Sequence, residues 1–255
     1  MTHPEATPSE LLTVAAAREL AGRRTVFAGI GLPTLAAALA QLTVAPGLET
    51  VYESGVCGAH PERLPETIGD AVLITGAEAV LPMATLFGSV LQGGRIDVGF
   101  LGAAQIDKWG SLNTSVIGDW ESPKVRLPGP GGAAEAMAGS REVFVVMRRH
   151  TPRSLVRTLD FCTSPSPDRA REDGIAPYGA GVTRVITELG VLARGGVGEE
   201  LRLAAVQPGV SVRQVREATG WDLAVDGGVR TIPAPEEAEL RLLRHDVDPE
   251  RVYLR

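Results

Sequence analysis

The sequence predicts an α/β protein whose mostly parallel sheet is flanked by helices on both faces. Short apolar runs at 25–28, 96–101 and 142–147 are typical of strands that are buried on both sides. Helical patterns at 9–21 and 34–42 alternate with such runs, as they do in parallel sheets. The 255 residues, 44% of them hydrophobic, are enough for one domain with a sizeable core.

The predicted domain covers residues 9–255, and residues 1–8 are expected to form a disordered N-terminal lead-in. Ser9 is the expected N-cap of the first helix. The segment 102–125 contains many turn-forming residues and is predicted to be a long loop with short strands. The segment 163–181 is also rich in such residues and is either a mobile loop or a crossover. Further strands are predicted at 49–52, 71–75, 183–186 and 201–206, and further helices at 82–91, 133–138, 211–219 and 236–245.

Composition argues against several classes of protein. A net charge of −6 disfavours a nucleic-acid partner. Two cysteines, Cys57 and Cys162, do not form a disulfide framework, which is typical of a reducing compartment. Neither a signal peptide nor a run of about 20 apolar residues is visible. We therefore expect a cytoplasmic protein with no membrane partner.

Glu53 follows the predicted strand 49–52 directly and is itself followed by Ser54 and Gly55. Ligands of parallel sheets bind beyond the carboxyl ends of the strands. The small neighbours leave room for another molecule, and a carboxylate can act as a covalent nucleophile. A solvated surface residue or a helix cap is the alternative interpretation of Glu53.

Two glycine-rich turns are candidate binding loops. Gly29 and Gly31 follow a predicted strand, but the third glycine of a dinucleotide fingerprint is missing. Backbone N–H groups at this helix start could bind an anion or a carbonyl group. The second turn contains Gly129, Gly131 and Gly132, and it is either an ordinary loop or a set of N–H donors for an oxyanion.

Cys57 and His60 lie three residues apart, but no orienting third group accompanies them as a nucleophile needs. Two potential ligands also do not make a zinc site. A packed cysteine and a loop histidine are the expected roles, so no metal site is predicted.

Four motifs together resemble the β subunit of class I CoA-transferases, most closely the glutaconate CoA-transferase type. They are Ala28–Pro33 (AGIGLP), Tyr52–Gly55 (YESG), Leu101–Asn113 (LGAAQIDKWGSLN) and Gly129–Ala133 (GPGGA). Many 3-oxoacid members of this family have S-E-N-G at the second motif, whereas this chain has the E-S-G form.

The resemblance implies the CoA-transferase/sugar isomerase-like fold and a ping-pong reaction in which Glu53 passes through a glutamyl-CoA thioester. Coenzyme A is then a substrate and a covalent intermediate, and no permanently bound cofactor or metal is needed. The acceptor would be a carboxylate or dicarboxylate. An α subunit would complete the enzyme as an αβ or α2β2 assembly. The implied oxyanion and substrate loops contain Gly29, Gly31, Gly129, Gly131 and Gly132, and Ser54, Gly55 and Gln105 would lie near the substrate.

Two other functions remain open on the same scaffold. An acyl-CoA hydrolase or a C–C lyase, such as a decarboxylase, would act without an acceptor carboxylate. A ligand-sensing module without catalysis is the third hypothesis, although no helix-turn-helix segment or basic patch supports it.

Overall fold

The computed structural model describes residues 6–254, and across these residues it contains fourteen strands. Ten of them form one central sheet, and the other four form two separate hairpins. In chain order the strands are β1 (Thr25–Ala28), β2 (Glu49–Val51), β3 (Val56–Cys57), β4 (Ala79–Val80), β5 (Val98–Gly102), β6 (Gln105–Ile106), β7 (Leu112–Asn113), β8 (Val116–Gly118), β9 (Pro123–Arg126), β10 (Glu142–Met147), β11 (Val182–Thr187), β12 (Gly190–Ala193), β13 (Arg202–Val206) and β14 (Val225–Thr231).

The central sheet has the strand order β14-β13-β12-β11-β10-β5-β1-β2-β3-β4. Its middle, from β2 through β1, β5 and β10 to β11, is parallel throughout. Antiparallel pairs join β2 to β3 and β4 on one side and β11 to β12 and β13 on the other. The predicted mostly parallel sheet is thus confirmed, and the carboxyl ends of β1, β2 and β5 lie at one edge.

Seven α-helices accompany the sheet within the described residues: α1 (Pro8–Glu19), α2 (Leu32–Leu42), α3 (Met83–Thr85), α4 (Ala133–Gly139), α5 (Pro167–Glu172), α6 (Val212–Glu217) and α7 (Glu237–Leu242). Two π-helical segments, Leu86–Leu91 and Leu243–Val247, continue α3 and α7. None of the helices in this part of the chain has the length and apolar character that a membrane span requires.

Neighbouring residues of each central strand pack into different cores, because successive side chains of a strand point to opposite faces. Val26 packs with α1 and α2 on one face. Phe27, the next residue, packs on the other face with Leu86 and with Met137 of α4. Helices therefore cover both faces of the sheet, as predicted.

The first helix begins earlier than predicted. Its N-cap is Thr7, not Ser9, because Thr7 and Glu10 form a capping box. The Thr7 N–H donates to Glu10 Oε2 (2.8 Å), and the Glu10 N–H donates to Thr7 Oγ1 (3.3 Å). Of the predicted lead-in, residues 1–5 lie outside the described residues.

The strand predicted at 71–75 is wrong: Ala71–Ile74 is a short 3-10 helix. Asp70 caps it, since its Oδ1 accepts the Val72 N–H (3.1 Å). The segment 163–181, predicted as a mobile loop or a crossover, contains α5, which Ser166 caps by accepting the Arg169 N–H (3.4 Å). No sequence pattern predicted β3, β4, β12 or β14.

Candidate active site

Glu53 lies in a tight turn between β2 and β3. The Gly55 N–H donates to Tyr52 O, and the Tyr52 N–H donates to Val56 O, both at 2.9 Å. Gly55 has a φ of +95°, and a Cβ atom at this position would lie 2.0 Å from Leu81 O. Only glycine fits there, so Gly55, two residues after the glutamate, shapes the turn that presents Glu53 at the carboxyl end of β2.

A cleft of about 800 Å³ opens at this sheet edge and contains Glu53. Its walls come from the ends of β1 and β5, from two loops and from single residues: Phe27–Ile30, Leu101–Ala104, Thr67 and Ile68, Thr114, and Leu127–Ala133. Among the described residues that line it, Glu53 is the only one with a charged side chain. The cleft therefore presents one carboxylate in a mostly apolar and small-residue setting.

The second glycine turn lies directly opposite Glu53. A Cβ atom built on Gly131 would lie 3.1 Å from Glu53 Oε2 and 3.6 Å from Glu53 Oε1. Gly131 also has a φ of +48°, which L side chains rarely adopt. The adjacent Gly132 rests on the rings of Phe27 and Phe87, which are 3.0 and 3.1 Å from the position of a Cβ. The loop thus lies so close to the carboxylate that a side chain at position 131 would crowd it.

Some backbone N–H groups of this turn are hydrogen-bonded within the protein and others are not. Those at its two ends are used, since Gly129 N–H donates to Thr114 O and Ala133 N–H donates to Pro130 O, both at 2.9 Å. The N–H groups of Gly131 and Gly132 between them make no hydrogen bond within residues 6–254. Adjacent backbone N–H groups without a partner are the kind of donor that can bind an oxyanion.

The first glycine turn contributes to the cleft only in part. Gly29 lines it, and its N–H donates to Phe100 O (2.9 Å). A Cβ on Gly29 would lie 3.3 Å from Phe100 O, so glycine allows the ends of β1 and β5 to meet closely. Gly31 does not line the cleft and instead precedes α2 as its N-cap, with a φ of +106°.

Three other residues expected near the substrate do not line the cleft. Gln105 is buried, and its side-chain amide group is hydrogen-bonded to Asn113 and Asp160. The Ser54 hydroxyl is buried and has no hydrogen-bond partner among the residues that the structure describes. Gly55 acts through the turn geometry described above.

Some residues that line the cleft were not predicted from the sequence. Thr114 follows Asn113 directly, so the Leu101–Asn113 motif could have pointed to it. Thr67 and Ile68 come from a segment with no recognisable motif, and no pattern in the sequence could have identified them.

Cys57 and His60 do not form a catalytic pair. Burial raises the pKa of the Cys57 thiol above its ordinary value, and the negative charge of Glu49 raises it further, so the thiolate is disfavoured. His60 borders a separate depression with Arg63 and Tyr52. Within residues 6–254 no three His, Cys, Asp or Glu side chains are grouped as a metal site would need.

The fold holds a carboxylate at the end of a strand against a glycine loop. Known proteins resemble this chain over nearly its whole length. The sequence profile of the Coenzyme A transferase family matches residues 9–218. The chain is 44% identical over 240 residues to the B subunit of 3-oxoadipate CoA-transferase from Pseudomonas knackmussii. The match covers 92% of this chain and 91% of that protein.

Two solved structures extend the comparison. Glutaconate CoA-transferase from Acidaminococcus fermentans superposes with a TM-score of 0.89 and 28% identity, covering 98% of both chains. The decarboxylase AibA/AibB superposes with a TM-score of 0.81 and 27% identity, covering 96% of both chains. The chain belongs to the Coenzyme A transferase family, which confirms the resemblance and the fold predicted from the sequence.

Proposed function

We propose that this chain is the β subunit of a heteromeric CoA-transferase and that Glu53 is its nucleophile. The observation that carries this proposal is the position of the Glu53 carboxylate in the cleft, opposite Gly131 and the unused N–H groups of Gly131 and Gly132. Carboxylate side chains act as covalent nucleophiles in several classes of enzyme.

The proposed reaction has two matched halves. Glu53 attacks the thioester carbonyl carbon of an acyl-CoA, the C–S bond breaks, and CoA thiolate leaves a mixed anhydride on Glu53. The thiolate then attacks the glutamyl carbonyl carbon, releasing the donor carboxylate and leaving a glutamyl-CoA thioester. An acceptor carboxylate reverses both steps, so no net proton transfer is required. The N–H groups of Gly131 and Gly132 stabilise the oxyanion of each tetrahedral intermediate, and one such donor typically contributes about 10²–10³ in rate.

The names of the relatives support a proposal for the substrate class. The 3-oxoadipate relative is more similar in sequence to this chain than the corresponding chain of glutaconate CoA-transferase, at 44% against 30% identity. Both names denote five- or six-carbon dicarboxylic acids, so we propose a dicarboxylate acceptor and place 3-oxoadipate first in a substrate panel.

Both cysteines are free thiols, which agrees with the proposed cytoplasmic location.

A partner subunit completes the proposed enzyme, since both named relatives are single subunits of larger CoA-transferases. Exposed apolar side chains lie on and after β4, which pairs with the strand that follows the Glu53 turn: Val80 is 58% exposed, and Met83, three residues further on, is 54% exposed. Leu81 between them donates its N–H to Gly55 O in the Glu53 turn (2.9 Å). We propose that this surface faces the α subunit, in an αβ or α2β2 assembly.

The nucleophile is tested with Glu53→Gln in the enzyme assembled from both subunits. We expect no measurable transfer, because the uncharged amide cannot attack the thioester. Incubation of the parent enzyme with acyl-CoA should attach CoA to the peptide that contains Glu53, as detected by mass spectrometry. Glu49→Gln is the control, since Glu49 is an exposed glutamate on the strand that precedes Glu53 and should be dispensable. Full transfer activity in Glu53→Gln would refute the proposal.

The similarity to a decarboxylase supports one alternative, an activity that needs no acceptor. An assay of acyl-CoA consumption without added carboxylate separates the two functions. A transferase stops after one turnover per site, whereas a decarboxylase or hydrolase continues.

A further inference from the structure

The side chains of Gln105 and Asn113 form a buried pair behind the cleft. The two residues lie opposite each other on β6 and β7, and they are 4% and 0% exposed. Asn113 Nδ2 donates to Gln105 Oε1 (2.8 Å). Gln105 is held in turn by Asp160, whose N–H donates to Gln105 Oε1 (3.1 Å) and whose Oδ2 accepts from Gln105 Nε2 (3.2 Å). We call these three residues the amide bracket.

Asn113 also fixes the backbone that follows it. Its Oδ1 accepts the N–H groups of Ser115 (3.0 Å) and Val116 (3.2 Å), and its Nδ2 donates to Val116 O (2.6 Å). Both donor positions and the acceptor oxygen of the carboxamide are therefore used. A buried polar group with all its hydrogen bonds made holds its surroundings in one conformation.

The turn that Asn113 fixes carries the glycine loop. Thr114 O accepts the Gly129 N–H, and Ser115 O accepts the Leu127 N–H, both at 2.9 Å. Thr114 itself lines the cleft. The position of Gly131 opposite Glu53 thus depends on a chain of hydrogen bonds that starts at the amide bracket.

We propose that Asn113 is a positioning residue for the transfer reaction, and that Gln105 holds it in place. Asn113 sets the distance between the Glu53 carboxylate and the N–H groups of Gly131 and Gly132 without contacting the substrate. The inference rests on the proposed function of this cleft. A displacement of about 1 Å in such a site typically costs about 10²-fold in rate.

The test is Asn113→Asp in the assembled two-subunit enzyme. The substitution keeps the shape of the side chain and removes the Nδ2 donor, so the hydrogen bonds to Gln105 Oε1 and Val116 O are lost. Gln207→Glu is the matched control. Gln207 is also a buried carboxamide, 1% exposed, whose Nε2 donates to a backbone carbonyl, Thr187 O (3.3 Å), and it does not line the cleft.

Two measurements are made on each variant. Hydrogen exchange of the peptide over 127–132 reports the order of the glycine loop. Single-turnover labelling reports both the rate and the final extent of CoA attachment to Glu53. For Asn113→Asp we expect roughly 10-fold faster exchange in the loop and roughly 10²-fold slower labelling that reaches the same final extent. Gln207→Glu should change neither the loop exchange nor the labelling rate.

The final extent separates positioning from simple loss of folded enzyme, because a partly unfolded variant would label fewer sites. Unchanged loop exchange in Asn113→Asp would overturn the inference, and so would faster exchange with an unchanged labelling rate. Equal slowing in Gln207→Glu would assign the effect to general destabilisation and also overturn it.

Thr163 holds the same turn from the other side and offers a second variant for the test. Thr163 Oγ1 accepts the Thr114 N–H (3.0 Å) and is hydrogen-bonded to Ser115 Oγ (2.8 Å). Thr163→Val should give smaller changes of the same kind, and it decides the question by the same two measurements if Asn113→Asp does not assemble. If the parent enzyme never attaches CoA to Glu53, the proposed function fails, whereas the exchange measurement still decides whether Asn113 orders the loop.

Discussion

Glu53 and Gly131 lie so close together that a Cβ atom on Gly131 would come within 3.1 Å of Glu53 Oε2. The two residues belong to different segments, the turn after β2 and the loop before α4. Their approach leaves space for reacting atoms only while position 131 has no side chain. This relationship makes the glycine loop a direct test of the proposed chemistry.

Gly131→Ala should lower kcat by about 10²-fold, because the methyl group crowds Glu53 and shifts it from its position. A left-handed backbone conformation adds about 1 kcal/mol of strain for alanine. Steady-state transfer assays on the two-subunit enzyme measure the effect, and thermal unfolding measures the strain.

Gly22→Ala controls for strain alone. Gly22 has a φ of +76°, and a Cβ there meets no other atom of residues 6–254 within 4 Å. This variant should lose stability and keep its kcat. An equal loss of kcat in both variants would contradict the crowding argument.

Gly132→Ala should disturb the same loop by a different contact. The φ and ψ of Gly132, −84° and 10°, suit alanine, so backbone strain is small. Its Cβ would, however, lie 3.0 Å from Phe27 Cζ and 3.1 Å from two atoms of the Phe87 ring. We expect kcat to fall roughly 10-fold and Phe87→Leu to restore part of it in the double variant, because the smaller side chain leaves room. A double variant no faster than Gly132→Ala would show that the ring is not the obstacle.

His150 should make the protein less stable in acid. Its ring is 3% exposed, and its nitrogens are hydrogen-bonded to Thr187 Oγ1 (2.9 Å) and Thr219 Oγ1 (3.0 Å). Burial lowers the pKa of His150 from 6.5 to about 4. Between these pH values the unfolded chain binds a proton that the folded chain does not, so the free energy of unfolding falls as the pH drops. The loss amounts to roughly 3 kcal/mol by pH 4 and is absent above pH 7.

Denaturant unfolding between pH 4 and pH 8 measures this dependence. Burial raises the pKa of the neighbouring Glu188 carboxyl, which acts in the opposite direction as its proton is taken up. The comparison with His150→Gln removes that contribution, since Glu188 is present in both proteins. A pH dependence as steep in His150→Gln as in the parent would exclude His150 as its source.

Val80→Glu should weaken assembly with the partner subunit. Val80 is 58% exposed on the edge strand beside the Glu53 turn, and a buried charge there would lack a partner. We expect the Kd of the two subunits to rise by about 10-fold or more, as measured by analytical ultracentrifugation. Ile175→Glu is the control, because Ile175 is 53% exposed in a segment that does not line the cleft. Loss of assembly in the control alone would place the interface elsewhere.

The sequence predicted the centre of the fold better than its borders. The strands β1, β5 and β10 are buried on both faces, so their residues form unbroken apolar runs. Ala71–Ile74 is an equally apolar run, but Asp70 accepts the Val72 N–H and turns it into a helix. A run of four apolar residues does not by itself distinguish these outcomes. The strand β14 contains two glycines and exposed residues, and it therefore lacks a strand pattern.

The sequence predicted which segments of the chain meet at the candidate site, but it did not predict the directions of all their side chains. The alternation of strands and helices brought Glu53 and the two glycine turns to the same sheet edge, where the structure places Glu53, Gly29 and Gly131 around one cleft. The motif around Gln105 indicated a residue near the substrate, but it could not indicate which way the side chain points. That direction depends on Asp160, which lies 55 residues further along the chain.

The glycine loop is attached to its support through Thr114 O and Ser115 O, and both hydrogen bonds come from backbone N–H groups. Mutations at 114 and 127, two positions that line the cleft, can therefore change side chains over evolutionary time while the loop stays in register. Replacing these two side chains would change the lining of the cleft and leave the approach of Gly131 to Glu53 unchanged. Overall sequence identity would then understate how similar the chemistry of two such proteins is and overstate how similar their substrates are.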